Sequence, residues 1–202
     1  MIAIIDYGAG NLFSVHNALT YLGLSHEITR DPALIRKADG LILPGVGAFP
    51  DAMGMLRETG LLPVIRAEAV TKPFLGICLG MQLLFERGTE FQETEGLGLL
   101  PGSVDRISTP YKIPHMGWNH LRKNGDSPLL KNVPDGSSVY FVHSYMANTP
   151  PEFVSAYAGY GAEIPALVER GNLFGAQFHP EKSGEVGLAI LRNFASLIGG
   201  AV

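Results

Sequence analysis

The chain has 202 residues, 46% hydrophobic and 17% charged, with a formal net charge of −4. Those totals suit one large domain over residues 1–202 with a sizeable core, and they argue against a broad basic face for nucleic acid. One cysteine excludes an intrachain disulfide and a cysteine-rich metal site, no apolar stretch nears the roughly 20 residues of a membrane span, and Met1–Asp6 carries no basic n-region, so the expected compartment is the cytoplasm.

Residues 2–6 form a short β-branched and apolar run, the pattern of a buried strand. Asn11 is a natural N-cap, and Leu12, Val15, Leu19 and Leu22 recur at helical spacing until Gly23. A second strand is expected around 24–29, a helix from Asp31-Pro32, and a third strand over Gly40–Leu43 that stops at Pro44. Strand–helix–strand–helix–strand implies βαβ units and a parallel sheet. Gly8-x-Gly10 does not make a dinucleotide fingerprint, because Phe13 takes the third glycine position. It reads as a tight turn into a capped helix.

Pro44-Gly45-Val46-Gly47 lies at the carboxyl end of the third strand, where ligands of open α/β sheets gather. Its glycines permit inward-turned N–H groups, although an ordinary glycine-rich loop fits equally. Helical patterns follow at 51–58 and 61–70. Gly76-Ile77-Cys78-Leu79-Gly80 then separates a short apolar run from a helical pattern expected to begin just past Gly80. Gly-x-Cys-x-Gly in that setting is the thiol counterpart of a nucleophile elbow; a buried structural cysteine is the bland alternative.

Between 96 and 160 the Gly/Pro-rich texture and short alternating runs predict antiparallel strands added to the parallel sheet. Two strands near 165–169 and 173–178 end at Phe178-His179-Pro180-Glu181, and a last helix is expected to bury Ile190, Leu191, Phe194, Leu197 and Ile198. Pro180 pushes His179 into extended conformation, so 179 and 181 project to one side. Glu181 can then orient the imidazole while its other nitrogen meets a thiol, the logic of covalent acyl transfer. Taken alone, His179 and Glu181 fit a solvated turn as well.

The combination resembles a known family. The elbow through Gln82 and the Phe178–Glu181 stretch look like the two signatures of class I (triad) glutamine amidotransferases, and the 44–47 loop is similar to that family's oxyanion-strand loop. Asp6–Asn11, Pro114-His115-Met116-Gly117-Trp118-Asn119 and Tyr140–Tyr145 narrow the resemblance to glutaminase subunits of imidazole glycerol phosphate synthases. The resemblance implies a single-domain, three-layer α/β fold with a mostly parallel central sheet and added antiparallel strands. It implies Cys78, His179 and Glu181 as the triad, an oxyanion hole from Leu79 and the Val46–Gly47 loop, and glutamine held by Gly47, Gln82, Ser144 and Tyr145.

It also implies a cyclase subunit as partner, joined in a heterodimer, with no cofactor and no metal. Ammonia is largely protonated at neutral pH, which favours delivery within such a complex. Asn11, His115, Met116, Trp118 and Lys182 are the expected docking face, with a core position as the other reading of Trp118. The partner's ligand is expected to switch on the glutaminase by turning the 45–47 peptide. The competing readings are a glutaminase subunit of another amidotransferase, such as pyridoxal phosphate synthase, and a catalytically silent binding module.

Overall fold

In the computed structural model, which describes residues 1–198, the chain opens with strand β1 (Ile2–Ile5), helix α1 (Leu12–Tyr21), strand β2 (His26–Thr29), helix α2 (Pro32–Lys37) and strand β3 (Gly40–Gly45). The helix starts are local. The Asn11 side chain accepts from the Ser14 N–H, and that of Asp31 from the Ala33 N–H. β3 does not stop at Pro44 but runs to Gly45, which stands opposite Cys78 in the next strand. Proline forbids only the bond its own N–H would make, and extended chain continues through it.

Helices α3 (Phe49–Glu58) and α4 (Leu62–Ala69) lead into β4 (Phe74–Cys78) and the short helix α5 (Leu79–Gln82). The expected long helix past Gly80 does not form, and the chain returns to strand β5 (Phe85–Gly88). The carbonyls of Leu83 and Leu84 accept instead from the N–H groups of Leu97, Leu99 and Leu100, which ends the helix after one turn.

The remaining strands are β6 (Thr94–Glu95), β7 (Leu100–Arg106), β8 (His115–His120), β9 (Arg122–Lys123), β10 (Ser138–His143), β11 (Tyr145–Asn148), β12 (Val154–Gly159), β13 (Glu163–Arg170) and β14 (Leu173–Ala176), followed by α6 (Gly184–Ser196). The main sheet runs β2-β1-β3-β4-β14-β13-β12-β9, parallel from β2 to β14 and antiparallel beyond. Of the strands within 96–160, only β9 and β12 extend it in the expected way, joined by β13. β8 and β10 pair with each other, and β5, β6, β7 and β11 form a third sheet. Leu197 and Ile198 lie past the end of α6 and are half-buried rather than core.

Alternation along the strands sorts the side chains into two cores. Ala3, Ile5, Leu41 and Leu43 face one way, against Ile35 of α2, Met53 and Leu56 of α3, and Ile65 of α4. Ile2, Ile4, Ile42, Leu75 and Ile77 face the other, against Val15 and Leu19 of α1 and Ile190, Leu191 and Phe194 of α6. A sheet covered on both faces is the three-layer arrangement, and it explains why the central strands read as unbroken apolar runs. Among the described residues no helix is long and apolar enough to cross a membrane.

Candidate active site

The elbow follows from three glycines that let α5 sit on the ends of β3 and β4. A side-chain carbon on Gly80 would strike the Leu43 carbonyl, one on Gly76 the Gly80 carbonyl, and one on Gly45 the Gly80 nitrogen. Pressed into this turn, Cys78 adopts φ +54, a left-handed conformation rare for a residue with a side chain. Strain of that kind costs on the order of 1–3 kcal/mol and persists only where surrounding packing imposes it. Leu79 opens α5, so its N–H has no acceptor within the helix.

His179 comes just after β14, beside β4 in the sheet. Its own backbone is tied to β10. The His179 N–H donates to the Tyr140 carbonyl at 2.9 Å, and the Ser183 hydroxyl donates to the His179 carbonyl at 2.6 Å while accepting from the Tyr140 N–H at 3.0 Å. The imidazole Nδ1 lies 2.7 Å from Oε1 of Glu181, and both side chains are almost fully buried. Nε2 is also buried and makes no hydrogen bond to any described residue. Burial alone would lower the imidazole's pKa. The neighbouring Cys78, and Glu181 bonded to Nδ1, outweigh that and carry it up to about 9.

Cys78, His179, Val46, Gly47, Leu79, Gln82, Ser144 and Tyr145 line one cavity of about 340 Å³. Its volume suits a small ligand. Larger hollows exist, such as one of about 520 Å³ beside Val70 and Arg170, but they gather no comparable chemistry. Gln82 is oriented by two bonds: its Nε2 donates to the Tyr145 carbonyl at 2.9 Å and to Gln177 Oε1 at 3.0 Å. Both amide hydrogens are therefore committed, which leaves its oxygen for a ligand. Gly47 has φ +97 and nothing within 4 Å of where a side chain would begin, so its outer side faces open space.

Among the lining or adjacent groups missed in the sequence are three polar or charged side chains. Glu90 reaches the cavity with its carboxylate accepting from the Phe49 N–H at 2.9 Å; nothing in its local pattern marks it. His143 lines the cavity from the end of β10. Gln177 is wholly buried, with Nε2 3.9 Å from the Cys78 sulfur. It lies two residues before His179, and the alternation that joined 179 to 181 would have found it.

Of the expected docking residues, Met116 and Trp118 are 61% and 60% exposed, which removes the core reading of Trp118. Lys182 is exposed and Asn11 half-exposed at its capping position. His115 is a correction. It alternates inward along β8, is 2% exposed, and stacks between Phe141 and Tyr160.

The sequence matches the glutamine amidotransferase class-I family over residues 3–197. The chain belongs to the class I glutamine amidotransferases. Within them it is 55% identical over 199 residues to the imidazole glycerol phosphate synthase subunit HisH of Bacillus cereus strain G9842, an alignment covering 98% of this chain and 95% of the relative. It is likewise 55% identical, with the same coverage, to the HisH subunit of Bacillus mycoides strain KBAB4. A crystal structure described as a glutamine amidotransferase superposes with a TM-score of 0.78, covering 99% of this chain and all of that one at 22% identity, a likeness of fold.

Proposed function

We propose that this chain is the glutaminase subunit of an imidazole glycerol phosphate synthase, a single amidotransferase domain that hydrolyses glutamine and passes ammonia to a cyclase subunit in histidine biosynthesis, in the cytoplasm. The observation that carries the reading is the Cys78 elbow sharing one cavity with the buried His179–Glu181 pair, in a chain 55% identical to HisH subunits over 98% of its length.

Cys78 attacks the side-chain amide carbon of glutamine as thiolate, opposite a His179 that is protonated at neutral pH. The oxyanion is received by the Leu79 N–H and by an N–H of the Val46–Gly47 loop. As the C–N bond breaks, His179 gives its proton to the departing nitrogen, and ammonia leaves a γ-glutamyl thioester. The now neutral imidazole takes a proton from water, the hydroxide adds to the thioester, and collapse releases glutamate and restores the thiolate. Glu181 holds the Nδ1 tautomer and stabilises the imidazolium. Gly47, Gln82, Ser144 and Tyr145 hold the substrate, with Gln82 presenting its oxygen.

Met116 and Trp118, two residues apart on β8 and exposed together, are the aromatic and apolar anchors of a protein interface. Asn11 and Lys182 extend that face. Cys78→Ala is expected to abolish imidazole glycerol phosphate synthesis from glutamine while leaving synthesis fed by ammonium salts intact. Survival of both activities unchanged would overturn the assignment, and absence of glutamate release from the complete complex with the cyclase and its ligand would overturn the function.

A further inference from the structure

The sulfur of Cys78 has two polar neighbours besides the triad histidine, and they favour opposite charge states. The Val142 carbonyl oxygen, 3.8 Å away, can accept only from a neutral thiol. Gln177 Nε2, 3.9 Å away, can donate to sulfur and so favours the thiolate. Which of the two amide atoms of Gln177 faces the sulfur is fixed by a chain of bonds with one polarity. The Tyr145 carbonyl only accepts, so the Gln82 atom 2.9 Å from it is the amide nitrogen. That same nitrogen lies 3.0 Å from Gln177, which must answer with its oxygen and turn its nitrogen to Cys78.

A second branch reaches the same carbonyl from the paired strands β8 and β10. His143 Nδ1 donates to Tyr145 at 2.8 Å, which leaves Nε2 of a neutral His143 to accept from His115 Nδ1 at 2.9 Å. His115 Nε2 in turn accepts from the Asn119 amide at 3.1 Å. Burial keeps both rings neutral, lowering His115 to about 4 and His143 to about 3.

We propose that Gln177 is a donor to the Cys78 thiolate, locked in its donating orientation by Gln82 and the Tyr145 carbonyl. The proposal rests on Cys78 being the nucleophile. A hydrogen bond to a charged acceptor is about twice as strong as one to a neutral group, so the Gln177 contact outweighs that of Val142 once the sulfur ionises. The other titratable groups around the sulfur and its cavity are His179 and Glu181 after β14, His143 at the end of β10, Tyr145 at the start of β11, Tyr7 after β1 and Glu90 after β5. Replacing Gln177 alters none of their identities.

The test is the rate of Cys78 alkylation by iodoacetamide against pH in the full chain, which reads the thiolate without requiring turnover. In Gln177→Leu the midpoint of that profile is expected to move up by about one pH unit, and glutamate release in the cyclase complex to lose about tenfold in kcat, the worth of one hydrogen bond to a charged group. Gln177→Glu keeps an acceptor for Gln82 but places an acid at the sulfur, and its midpoint is expected to move further up. If Gln177→Leu fails to fold, Gln177→Met, which also lacks a donor and adds no charge, is read in its place. Midpoints coincident with the wild type in folded variants overturn the proposal. Failure of the underlying reading looks different: wild-type protein fully alkylated at Cys78 would still release glutamate.

Discussion

Cys78 and His179 are held in place by different kinds of force. The cysteine is placed by backbone packing, which depends on Gly45, Gly76 and Gly80 having no side chains. Gly80→Ala is expected to destabilise the fold by about 3 kcal/mol, the upper range for overpacking, because the obstruction is the Leu43 backbone carbonyl and not a side chain that can turn away. A shift of the urea midpoint measures it. His179 is placed by hydrogen bonds and charge. Its pKa, raised from 6.5 to about 9, means that the folded state binds its proton more tightly than the unfolded chain. That contribution to stability is complete below about pH 6.5 and is lost as pH rises through about 9. Glutamate release is expected to fall over the same upper range, as the imidazolium proposed to protonate the departing nitrogen disappears. Glu181→Gln removes the charge that helps hold the proton, so the falling limb of kcat/KM should move to lower pH; a limb that stays near 9 would deny Glu181 that influence.

At the scale of elements, the β8–β10 pair is where polar groups enter the core. His115 and His143 are buried, bonded to each other, and neutral because desolvation disfavours their charged forms. Here the sign is reversed relative to His179. Their folded pKa values, about 4 and about 3, lie below the ordinary 6.5, so the unfolded chain binds more protons between those limits. Their stabilising contribution is complete above about pH 6.5 and declines as pH falls toward 4 and below. Urea midpoints should therefore drop between pH 6.5 and 4, and His115→Phe, which keeps the stack on Phe141 and Tyr160, should lessen that drop. An equal drop in the variant would place the acid sensitivity elsewhere.

At the scale of the molecule, the exposed Met116 and Trp118 stand on the outer side of the strand whose inner side carries His115. The exposed Met116–Trp118 face and the cavity at Cys78 therefore share one two-stranded sheet. Trp118→Ala is expected to weaken association with the cyclase by about 2 kcal/mol, roughly 30-fold, as for an aromatic anchor. Because Trp118 is exposed in the isolated chain, its urea midpoint should not change; titration calorimetry against the cyclase measures the first effect and denaturation the second.

The sequence by itself determined the local features: the capped helices after Asn11 and Asp31, the βαβ opening, the elbow around Cys78 and the same-side projection of His179 and Glu181. Each depends on neighbours a few residues away, through capping, glycine conformation or strand alternation. Tertiary structure decided what depends on distant partners. The helix after Gly80 stops at one turn because Leu97, Leu99 and Leu100 claim the carbonyls that would have continued it. β3 passes through Pro44 because Gly45 meets Cys78 across the ladder. The strands after residue 88 divide among three sheets, since alternation shows that a strand has two faces but not which edge will pair with it. Glu90, His143 and Gln177 came to the candidate site only when the fold brought them to one sulfur and one cavity, and His115 is not among the exposed residues expected to dock because the fold turned it inward. Short-range chemistry was legible along the chain; hydrogen-bond partners dozens of residues apart were chosen by packing.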